Sequence, residues 1–413
     1  MQTEGFRNSA RTITLLAAAL ILAAPARAQH FITVLPQPIE GNDNPISFLR
    51  PHYSIHMAAG SSQAGPPSTA FGPSQVRHAY GFDQVSNQGA GETIGIVDAY
   101  DDANAEADLG VFDAQFGLPA CTTSNGCFRK VYSNGKKPSA NANWAVEIAL
   151  DVEWAHAIAP KATILLVETP SNSMSDLMTG VDVAVRNGAS AVSMSWTTGE
   201  FSGETSLDNH FASSGVTFLA ASGDAGTGVN YPAASPDVIG VGGTTLALTA
   251  NGTYSSETAW SGSGGGLSKY EREPSFQAQF AIPDDARGYR GVPDVSYNAN
   301  PGTGYAIYDS IGISGYAGWF QVGGTSAGTP QWAALVAITN SMRAAARKSN
   351  LTSTDTPVYT VAKAAPSTDF HAVTQGTNGT CGVLCTASAG YDYVTGLGTP
   401  QAPAVIAALE SQR

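Results

Sequence analysis

The sequence predicts an α/β protein with a doubly wound, mostly parallel sheet and helices on both faces. Strand-like and helix-like stretches alternate along the chain, which is the order that parallel strands joined by crossover helices require. The strand-like stretches are apolar, as expected for a sheet that helices cover on both sides. Glycine supplies 45 of the 413 residues, above the average share of about 7%, which suits close turns and long surface loops.

The alternating stretches follow one another without an internal repeat. We therefore expect one domain over residues 73–413. The strand-like stretches are 93–98, 163–168, 189–196 and 217–222. The helix-like stretches are 103–116, 142–158, 173–187 and 205–214.

A run of small residues late in the chain predicts a turn that exposes a serine. Residues 323–330 read Gly-Gly-Thr-Ser-Ala-Gly-Thr-Pro and open an apolar, helix-like stretch. Glycines permit a sharp bend, and a helix that begins just after it directs free N–H groups toward developing negative charge. Ser326 is therefore a candidate nucleophile for acyl transfer, although ordinary turn and helix-capping chemistry uses the same residue types.

Two acids on an apolar helix are candidates for the base that such a serine needs. Residues 141–160 predict a helix that a proline ends. At about 100° per residue, Glu147 and Asp151 lie about 40° apart, close enough to share a hydrogen-bond network. His156 falls on the opposite side, as a core or surface histidine. The alternative for the acids is a solvent-exposed acidic face, since Glu153 also lies on this helix.

Asp224 directly follows an apolar strand. Residues 218–226 read Phe-Leu-Ala-Ala-Ser-Gly-Asp-Ala-Gly, which predicts a strand that runs into a tight turn. Ligands bind at the carboxyl ends of strands in open α/β sheets, so this acid is a candidate site residue. An Asx turn would use the same Asp-Gly neighbours without any function.

Taken together, these motifs resemble the sedolisin family, the serine-carboxyl peptidases that have a subtilisin-like fold and act at acid pH. The resemblance covers nearly all of 73–413 and includes five further motifs in the family's order. These motifs lie at 94–102, 193–196, 231–236, 242–244 and 391–400. Several independent motifs in one order are far more specific than any one of them.

The resemblance implies a role for each candidate residue. Ser326 is expected to be the nucleophile, Glu147 its general base, and Asp151 the acid that orients and supports Glu147. Asp224 is expected to donate a hydrogen bond to the oxyanion. Family members also place an acid at the end of the first strand, which implies that Asp98 extends the acid network through Asp151.

Oxyanion donation by Asp224 implies a requirement for acid. A carboxyl group can donate a hydrogen bond only while it holds its proton. An unperturbed Asp has a pKa near ~3.9, and burial or neighbouring carboxylates raise it, so a neutral donor beside an available glutamate base is expected around pH ~3–5. Near neutral pH the donor should ionise, and activity should fall.

The charge composition agrees with an acidic setting and argues against nucleic-acid binding. The chain has 33 acidic and 20 basic residues and a formal net charge of −13, with an isoelectric point near 4.8. Few basic residues limit the positive charge that accumulates when carboxylates protonate. No cluster of Lys and Arg predicts a surface that follows phosphates, so no nucleic-acid partner is expected.

The N-terminal residues predict secretion. Within residues 1–28, Arg7 and Arg11 precede the apolar run 12–24, and the small residues Ala26 and Ala28 mark a cleavage site. This pattern is typical of a signal peptide, which implies an extracellular or periplasmic location. The apolar run is shorter than the ~20 residues that span a bilayer, and no later segment qualifies, so no membrane association is expected.

Residues 29–72 predict a short propeptide or linker before the domain. The Pro-, Ser- and Gly-rich stretch 58–72 is typical of an extended chain. Many sedolisins carry a large folded prodomain, for which this segment has no room, so activation by removal of such a domain is not expected. The alternative is a short propeptide with a brief inhibitory strand at 31–35.

Four cysteines predict two local disulfides in an oxidising compartment. The simplest of the three connectivities that four cysteines allow joins Cys121 to Cys127 and Cys381 to Cys385. Zinc is disfavoured because neither pair has a histidine partner at zinc spacing.

The resemblance also implies where a substrate pairs with the domain. In subtilisin-like folds, an extended segment after a Ser-Trp strand and a Gly-rich loop add the substrate as a strand. These segments are 195–199 and 261–268 here. Relatives often have Gly-Gly after the Trp, whereas this chain has Thr197 and Thr198, which narrow the local space. The glycine run alone predicts a flexible loop equally well.

Calcium is the one cofactor that the resemblance implies. Relatives bind an ion near the C-terminus with an Asp in a Phe-x-Asp-Val/Ile-Thr segment, where this chain has Ala372. The remaining candidate ligands are Asp392 and the carbonyls of Val373, Ser388 and Gly390. Losing one of two anionic ligands should cost much of the affinity for a hard dication. A disulfide between Cys381 and Cys385 would stabilise this loop in place of the ion.

These features predict a secreted, monomeric acid endopeptidase of the sedolisin type that acts on proteins or peptides. A histidine base of the subtilisin kind is disfavoured because no histidine has a His-Gly-Thr context. An esterase of the α/β-hydrolase kind would require Gly-x-Ser-x-Gly, a pattern that residues 324–328 also fit, so only the further motifs of the resemblance favour the peptidase over it. The remaining alternatives are a noncatalytic binding domain on the same fold and the release of tripeptides from substrate N-termini.

Overall fold

The computed structural model describes residues 31–34, 48–58, 65–283, 287–352 and 355–412. The predicted signal peptide at 1–28 lies outside these residues. The strands, in chain order, are β1 Phe31–Val34, β2 Arg50–Pro51, β3 Ser54–Ala58, β4 Thr93–Ala99, β5 Phe128–Tyr132, β6 Thr163–Thr169, β7 Ala191–Met194, β8 Trp196–Gly199, β9 Thr217–Ala221, β10 Asn230–Tyr231, β11 Val238–Leu248, β12 Tyr254–Ala259, β13 Gly266–Arg272, β14 Tyr289–Val292, β15 Val295–Asn298, β16 Tyr305–Ile313, β17 Tyr316–Gly323, β18 Phe370–His371 and β19 Thr399–Pro400.

Helices alternate with the strands of the central sheet. The α-helices are α1 Pro73–Tyr80, α2 Ala105–Phe116, α3 Ala142–Ile158, α4 Met174–Arg186, α5 Ser275–Phe280, α6 Thr325–Ala345, α7 Asp355–Ala364, α8 Pro366–Asp369 and α9 Ala402–Ser411. Short 3₁₀ helices lie at Phe82–Gln84, Glu204–Phe211, Pro301–Thr303 and Gly382–Cys385.

An eight-stranded, mostly parallel sheet forms the centre, as predicted. The strand order is β12-β11-β9-β7-β4-β6-β5, with β15 beside β11. Each of these neighbouring pairs is parallel except β11 with β12. Every residue of β4 and β6 after the first is buried. This explains why these strands are apolar throughout rather than alternately polar.

Helices cover both faces of this sheet. Ile94 and Ile96 of β4 belong to one buried cluster together with residues of α3 and α6. Val97 of the same strand belongs to a second cluster together with residues of α4. Because side chains alternate along a strand, neighbouring residues of β4 enter the two cores in turn. The predicted layering is confirmed.

Helix α3 passes through the interior. All its residues from Trp144 to Ile158 are buried. The helix begins where the Asn141 side chain accepts hydrogen bonds from two backbone N–H groups, at 3.0 and 3.3 Å. A helix that is apolar on every side belongs inside a protein. Glu147 and Asp151 are therefore interior acids, and the alternative of a solvent-exposed acidic face is wrong.

Most predicted elements agree with the observed ones within one or two residues at each end. The stretch 189–196 is an exception because it divides at Ser195: β7 stays in the central sheet, while β8 joins a small sheet with β2 and β10. The stretch 205–214 is also different, since the chain there forms a 3₁₀ helix over Glu204–Phe211.

Part of the segment 29–72 pairs with the domain. Strands β1 and β3 form a four-stranded antiparallel sheet with β17 and β16. Strand β2 pairs antiparallel with β8. The predicted strand at 31–35 is thus observed as β1, except for its last residue, which lies outside the described ranges.

Both predicted disulfides are present, Cys121–Cys127 and Cys381–Cys385. The first disulfide lies beside His156, but its sulfur atoms are bonded to each other and are not available as metal ligands. Across the described ranges, no helix combines the length and the apolar character that crossing a bilayer demands.

Candidate active site

Ser326 lies at the second position of α6, just after the glycine turn that ends β17. Gly324 has a φ of +120°, which L side chains rarely adopt. A Cβ at Gly324 would overlap the His52 carbonyl oxygen and stand 2.5 Å from Asp224 Oδ2. Only glycine fits this position. The turn places Ser326 at the N-terminus of a 21-residue helix, where free N–H groups favour negative charge.

The Ser326 side chain is fully buried. Its Oγ donates to the Ser195 carbonyl oxygen at 3.2 Å. Its backbone N–H donates to the His52 carbonyl oxygen at 3.3 Å. A segment from the N-terminal part of the chain therefore covers the candidate nucleophile.

Glu147 and Asp151 lie one helical turn apart on α3, and both are fully buried. The Ser195 hydroxyl donates to Asp151 Oδ1 at 2.8 Å. No atom of the described residues has hydrogen-bond geometry to either Glu147 carboxylate oxygen, but the Ser326 hydroxyl lies close enough to lower the pKa of Glu147. The spacing predicts that Glu147 and Asp151 are close enough to share a hydrogen-bond network; their carboxyls interact electrostatically, and the shared network stays a prediction.

Burial and mutual repulsion alter the protonation of these acids. Burial raises the pKa of Glu147 well above its usual range, and the charges on Asp151 and Asp98 raise it further. Burial and the charge on Asp98 likewise raise the pKa of Asp151. Burial raises the pKa of Asp98, at the end of β4, to about 8. Since the three carboxyls interact strongly, they titrate as one unit that retains protons in acid.

Asp224 occupies the turn after β9. The Thr325 backbone N–H and hydroxyl both donate to Asp224 Oδ1, each at 2.8 Å. Asp224 Oδ2 has no hydrogen-bond partner among the described atoms. Burial raises the pKa of Asp224 to about 7, although the two bonds from Thr325 oppose the rise. Below that pH, the free oxygen is the one that can carry and donate a proton.

The other charged residues of α3 lie outside this site. His156 Nε2 is 2.9 Å from the Pro119 carbonyl oxygen, and burial lowers the pKa of His156. It is a satisfied core histidine, one of the two roles that the sequence left open. Glu153 accepts a hydrogen bond from the Tyr308 N–H at 3.1 Å and serves the packing of α3 against β16.

Sequence reasoning missed three contributors to the site. The side chain of Ser195 links Asp151 to the helix start, since its Oγ also lies 3.4 Å from the Ser326 carbonyl oxygen. Thr325 fixes one oxygen of Asp224. His52 covers Ser326. Ser195 lies within the motif 193–196, and Thr325 lies directly before Ser326, so the sequence contains a signal for both residues. Nothing around His52 in the sequence indicates that it belongs to the site.

The predicted substrate-facing segments differ in what they contact. The outer edge of β8 is paired with residues Arg50 and Pro51. The loop 261–268 packs closely instead: a Cβ on Gly264 or Gly265 would overlap backbone carbonyl oxygens of neighbouring segments. The alternative interpretation of the glycine run as a flexible loop is therefore wrong, because its glycines permit close backbone packing.

The residues around Asp392 do not fit a calcium site. Three backbone N–H groups and the Thr395 hydroxyl already donate to the two Asp392 oxygens, at 2.8 to 3.2 Å. Burial raises the pKa of Asp392 to about 6, so this carboxyl gains a proton in acid. Ala372 offers no carboxylate. Calcium prefers several anionic oxygens that are free to coordinate it, and the carbonyls of Val373, Ser388 and Gly390 do not supply that charge.

Comparison with known proteins agrees with this geometry. The subtilase family matches residues 139–382. Kumamolisin from Bacillus sp. (strain MN-32) is 33% identical over 391 residues, covering 85% of this chain and 66% of kumamolisin. Sedolisin from Pseudomonas sp. (strain 101) is 29% identical over 346 residues, covering 75% and 56% of the two chains. The chain thus spans between 56% and 66% of the length of these two curated relatives.

Other relatives and solved structures are also peptidases by name. Tripeptidyl-peptidase sed4 from Aspergillus fumigatus is 30% identical over 45% of this chain and 36% of its own length. The structure of Pseudomonas sedolisin (serine-carboxyl proteinase) with pseudo-iodotyrostatin superimposes with a TM-score of 0.69 at 27% identity, covering 84% of this chain and 98% of that chain. A lanthipeptide protease at 13% identity and a TM-score of 0.51 shares the fold. With this fold, these motifs and these relatives, the chain belongs to the subtilase family and is of the sedolisin, serine-carboxyl type.

Proposed function

We propose that this protein is a secreted, acid-acting serine-carboxyl endopeptidase. The observation that carries the proposal is the position of one peptide carbonyl oxygen. The His52 carbonyl oxygen accepts a hydrogen bond from the Ser326 N–H, and both it and Asp224 Oδ2 lie within 2.5 Å of the point where a Cβ on Gly324 would stand. A nucleophile, a buried glutamate and two donors around one carbonyl group are the parts that peptide hydrolysis needs.

In this mechanism, Ser326 Oγ attacks the carbonyl carbon of the substrate while Glu147 takes the hydroxyl proton. The carbonyl oxygen becomes an oxyanion that accepts hydrogen bonds from the Ser326 N–H and protonated Asp224. Glu147 then gives its proton to the leaving amine, and water hydrolyses the acyl-enzyme by the reverse sequence. Asp151 orients and supports Glu147, and the Ser195 hydroxyl holds Asp151 in place.

The same groups set a pH range. Asp224 donates only while it is protonated, and its pKa is about 7. Glu147 accepts a proton only when it is ionised, so the trio with Asp151 and Asp98 must have released a proton while Asp224 keeps its own. The requirement for protonated Asp224 limits activity at high pH, and the requirement for ionised Glu147 limits it at low pH.

Proteins and peptides are the proposed substrates, because an extended chain fits beside β8. Secretion is supported by the predicted signal peptide and the two disulfides, and the proposal takes the protein to be a monomer. The net charge of −13 supports the absence of a nucleic-acid partner. Relatives named tripeptidyl-peptidase make release of tripeptides from substrate N-termini the alternative specificity.

A pH-resolved digestion tests the proposal. An unfolded protein substrate is incubated with the purified protein between pH 3 and pH 8, and the fragments are identified by mass. Internal fragments that form only in acid would support the endopeptidase, whereas a ladder of tripeptides would support the alternative. A folded protein that yields no fragments at any pH would favour a noncatalytic binding domain.

A further inference from the structure

The position of His52 shows where one side chain of a bound substrate would lie. Strand β2, which precedes His52, pairs antiparallel with β8 as an extended peptide would. The His52 N–H donates to the Ser195 carbonyl oxygen at 3.3 Å, and its carbonyl oxygen accepts from the Ser326 N–H at 3.3 Å. A substrate that replaces this segment would therefore place at this position the residue on the carbonyl side of its scissile bond, which we call the carbonyl-side residue.

The His52 imidazole occupies a pocket between β8 and the turn that follows β9. Its Nε2 is 2.5 Å from Thr197 Oγ1. On the other side, its Cε1 is 3.9 Å from the point where a Cβ on Gly223 would stand. Gly223 has a φ of +110°, and a Cβ there would overlap the Asn230 side chain, so glycine is needed in this wall. Thr197 and Gly223 thus define the carbonyl-side pocket.

The Thr197 hydroxyl is the polar group of this pocket that meets the side chain. Thr197 is 2% exposed, and the His52 ring is the hydrogen-bond partner that the described residues offer its hydroxyl. A hydroxyl both donates and accepts, so it matches a ring nitrogen in either tautomer of a neutral imidazole. An apolar side chain in the pocket would leave the hydroxyl buried without a partner, which costs free energy.

We propose that Thr197 makes the protein select peptides with histidine as the carbonyl-side residue. This inference rests on the proposed function and names the substrate class of the same site. It follows from the buried Thr197 hydroxyl, from its bond to an imidazole, and from the backbone contacts that place this imidazole beside Ser326. A site built to hydrogen-bond a polar side chain discriminates strongly against one that lacks the polar group.

The pocket favours the neutral form of the imidazole. Burial and the positive charge of Arg50 lower the pKa of His52 to about 4, although a hydrogen bond to the Thr197 backbone opposes the change. Asp224, directly after Gly223, has a pKa of about 7 and is neutral in acid. A histidine in a free peptide has a pKa near ~6.5. Binding therefore releases a proton between these two values, and selection for histidine should strengthen as pH rises from 4 to 6.

The test compares two peptides that differ in one residue. Both carry Leu-Arg-Pro before the tested residue, as residues 49–51 do, and the same residues after it. The tested residue is histidine in one peptide and phenylalanine, a planar ring without nitrogen, in the other. The full chain hydrolyses both in one tube at pH 5, and mass spectrometry identifies the cut bond and gives the ratio of the two kcat/KM values.

We expect a cut after the tested residue and a kcat/KM at least about 10-fold higher for the histidine peptide. Because both peptides meet the same enzyme, its own titration cancels from the ratio. The ratio should rise at least about 10-fold between pH 4 and pH 6, as release of the histidine proton requires. A ratio that falls over this range would overturn binding of the neutral imidazole.

Variants at two neighbouring threonines make the test specific. Thr197→Val keeps the shape of the side chain without the hydroxyl, so the ratio should fall at least about 10-fold, whereas Thr197→Ser should retain the preference. Thr198→Val is the matched control, because its side chain leaves β8 on the opposite face, and its ratio should match that of the natural protein. Circular dichroism checks that each variant folds. A preference that persists in folded Thr197→Val would overturn the role of Thr197.

The outcomes separate this inference from the proposed function. Digestion of an unfolded protein in acid together with equal cutting of both peptides, or with cuts only at other bonds, would overturn the selection and leave the peptidase standing. A folded chain that hydrolyses neither protein nor peptide at any pH would contradict both. A preference for histidine that Thr197→Val abolishes and Thr198→Val retains would support both.

Discussion

In the proposed mechanism, the two carboxyl oxygens of Asp224 have separate tasks. Oδ1 accepts two hydrogen bonds from Thr325, which fixes the side chain, and Oδ2 stays free beside the carbonyl position. A donor that is fixed in advance costs little reorganisation when negative charge develops. The same arrangement makes the donor depend on pH, because an ionised Asp224 would repel the oxyanion.

Replacement of Asp224 by Asn should therefore change the pH profile. For the natural protein, we expect kcat/KM to fall as pH rises through the Asp224 pKa of about 7, since the donor is present below that pH and lost above it. Asp224→Asn donates at every pH, so its profile should lose much of the alkaline fall, even if its highest rate is lower. An unchanged midpoint in folded Asp224→Asn would assign the fall to the trio of Glu147, Asp151 and Asp98 instead.

Substitutions at Ser326 and Glu147 should have non-additive effects on kcat. Ser326→Ala and Glu147→Gln each remove one end of a single proton transfer, so each should lower kcat by at least about 10³-fold, and the double variant should lose no more than the single ones. Initial rates with an unfolded protein at pH 4 measure this effect. Ser349→Ala, at an exposed serine, is the control and should keep the natural rate.

Retention of more than a few per cent of the activity by folded Ser326→Ala would remove this residue as the nucleophile. Additive losses in the double variant would mean that Glu147 acts outside the step that Ser326 begins.

At the scale of single elements, the C-terminal loop contains its own stabilising contacts. Asp392 accepts four hydrogen bonds from its own loop, and the Cys381–Cys385 disulfide closes the neighbouring turn. The loop is therefore stabilised by the chain's own donors and by a covalent bond. A cation has no stabilising role left to fill there.

Calcium removal should accordingly have little effect on stability. We expect excess EDTA to change the melting temperature by no more than about 2 °C, because no ligand-bound state is lost. Ala372→Asp should introduce the missing carboxylate and make the melting temperature rise with added calcium. Ala372→Asn, which has the same shape without the charge, is the control and should show no calcium dependence.

A large fall in melting temperature when EDTA is added to the natural protein would contradict this expectation and restore the site implied by the family resemblance.

Across the whole molecule, buried carboxyl groups tie stability to acid. Burial raises the pKa of Glu153 well above its usual range, that of Asp113 to about 7, and those of Glu168 and Glu204 to about 8. A carboxyl with a raised pKa in the folded state binds its proton more tightly there than in the unfolded chain. The stability it contributes is fully present below the unfolded pKa and is lost as pH rises through the folded pKa.

The melting temperature should therefore fall as pH rises from about 4 to 8. For one fully buried group such as Glu153, the loss is about 1.4 kcal/mol per pH unit while the folded state keeps the proton and the unfolded chain has lost it. Glu153→Gln should flatten this dependence, whereas Ser349→Ala, an exposed position with no ionisable group, should not. Calorimetry at pH 4, 6 and 8 measures all three proteins, and a natural protein more stable at pH 8 than at pH 4 would contradict the prediction.

The sequence by itself determined the fold class and named four candidate site residues, whose roles stay a prediction. Apolar strands alternating with helices leave few ways to bury both faces of a sheet, and the glycine turn before Ser326 and the acids on an apolar helix are local patterns with a chemical meaning. Only the tertiary structure brought in Ser195, Thr325 and His52. Their roles depend on contacts between segments far apart in the chain, such as Ser195 with Asp151 and His52 with Ser326. No local pattern records a carbonyl group placed by the packing of distant strands, and this is the physical reason why these contacts became visible only in the folded molecule.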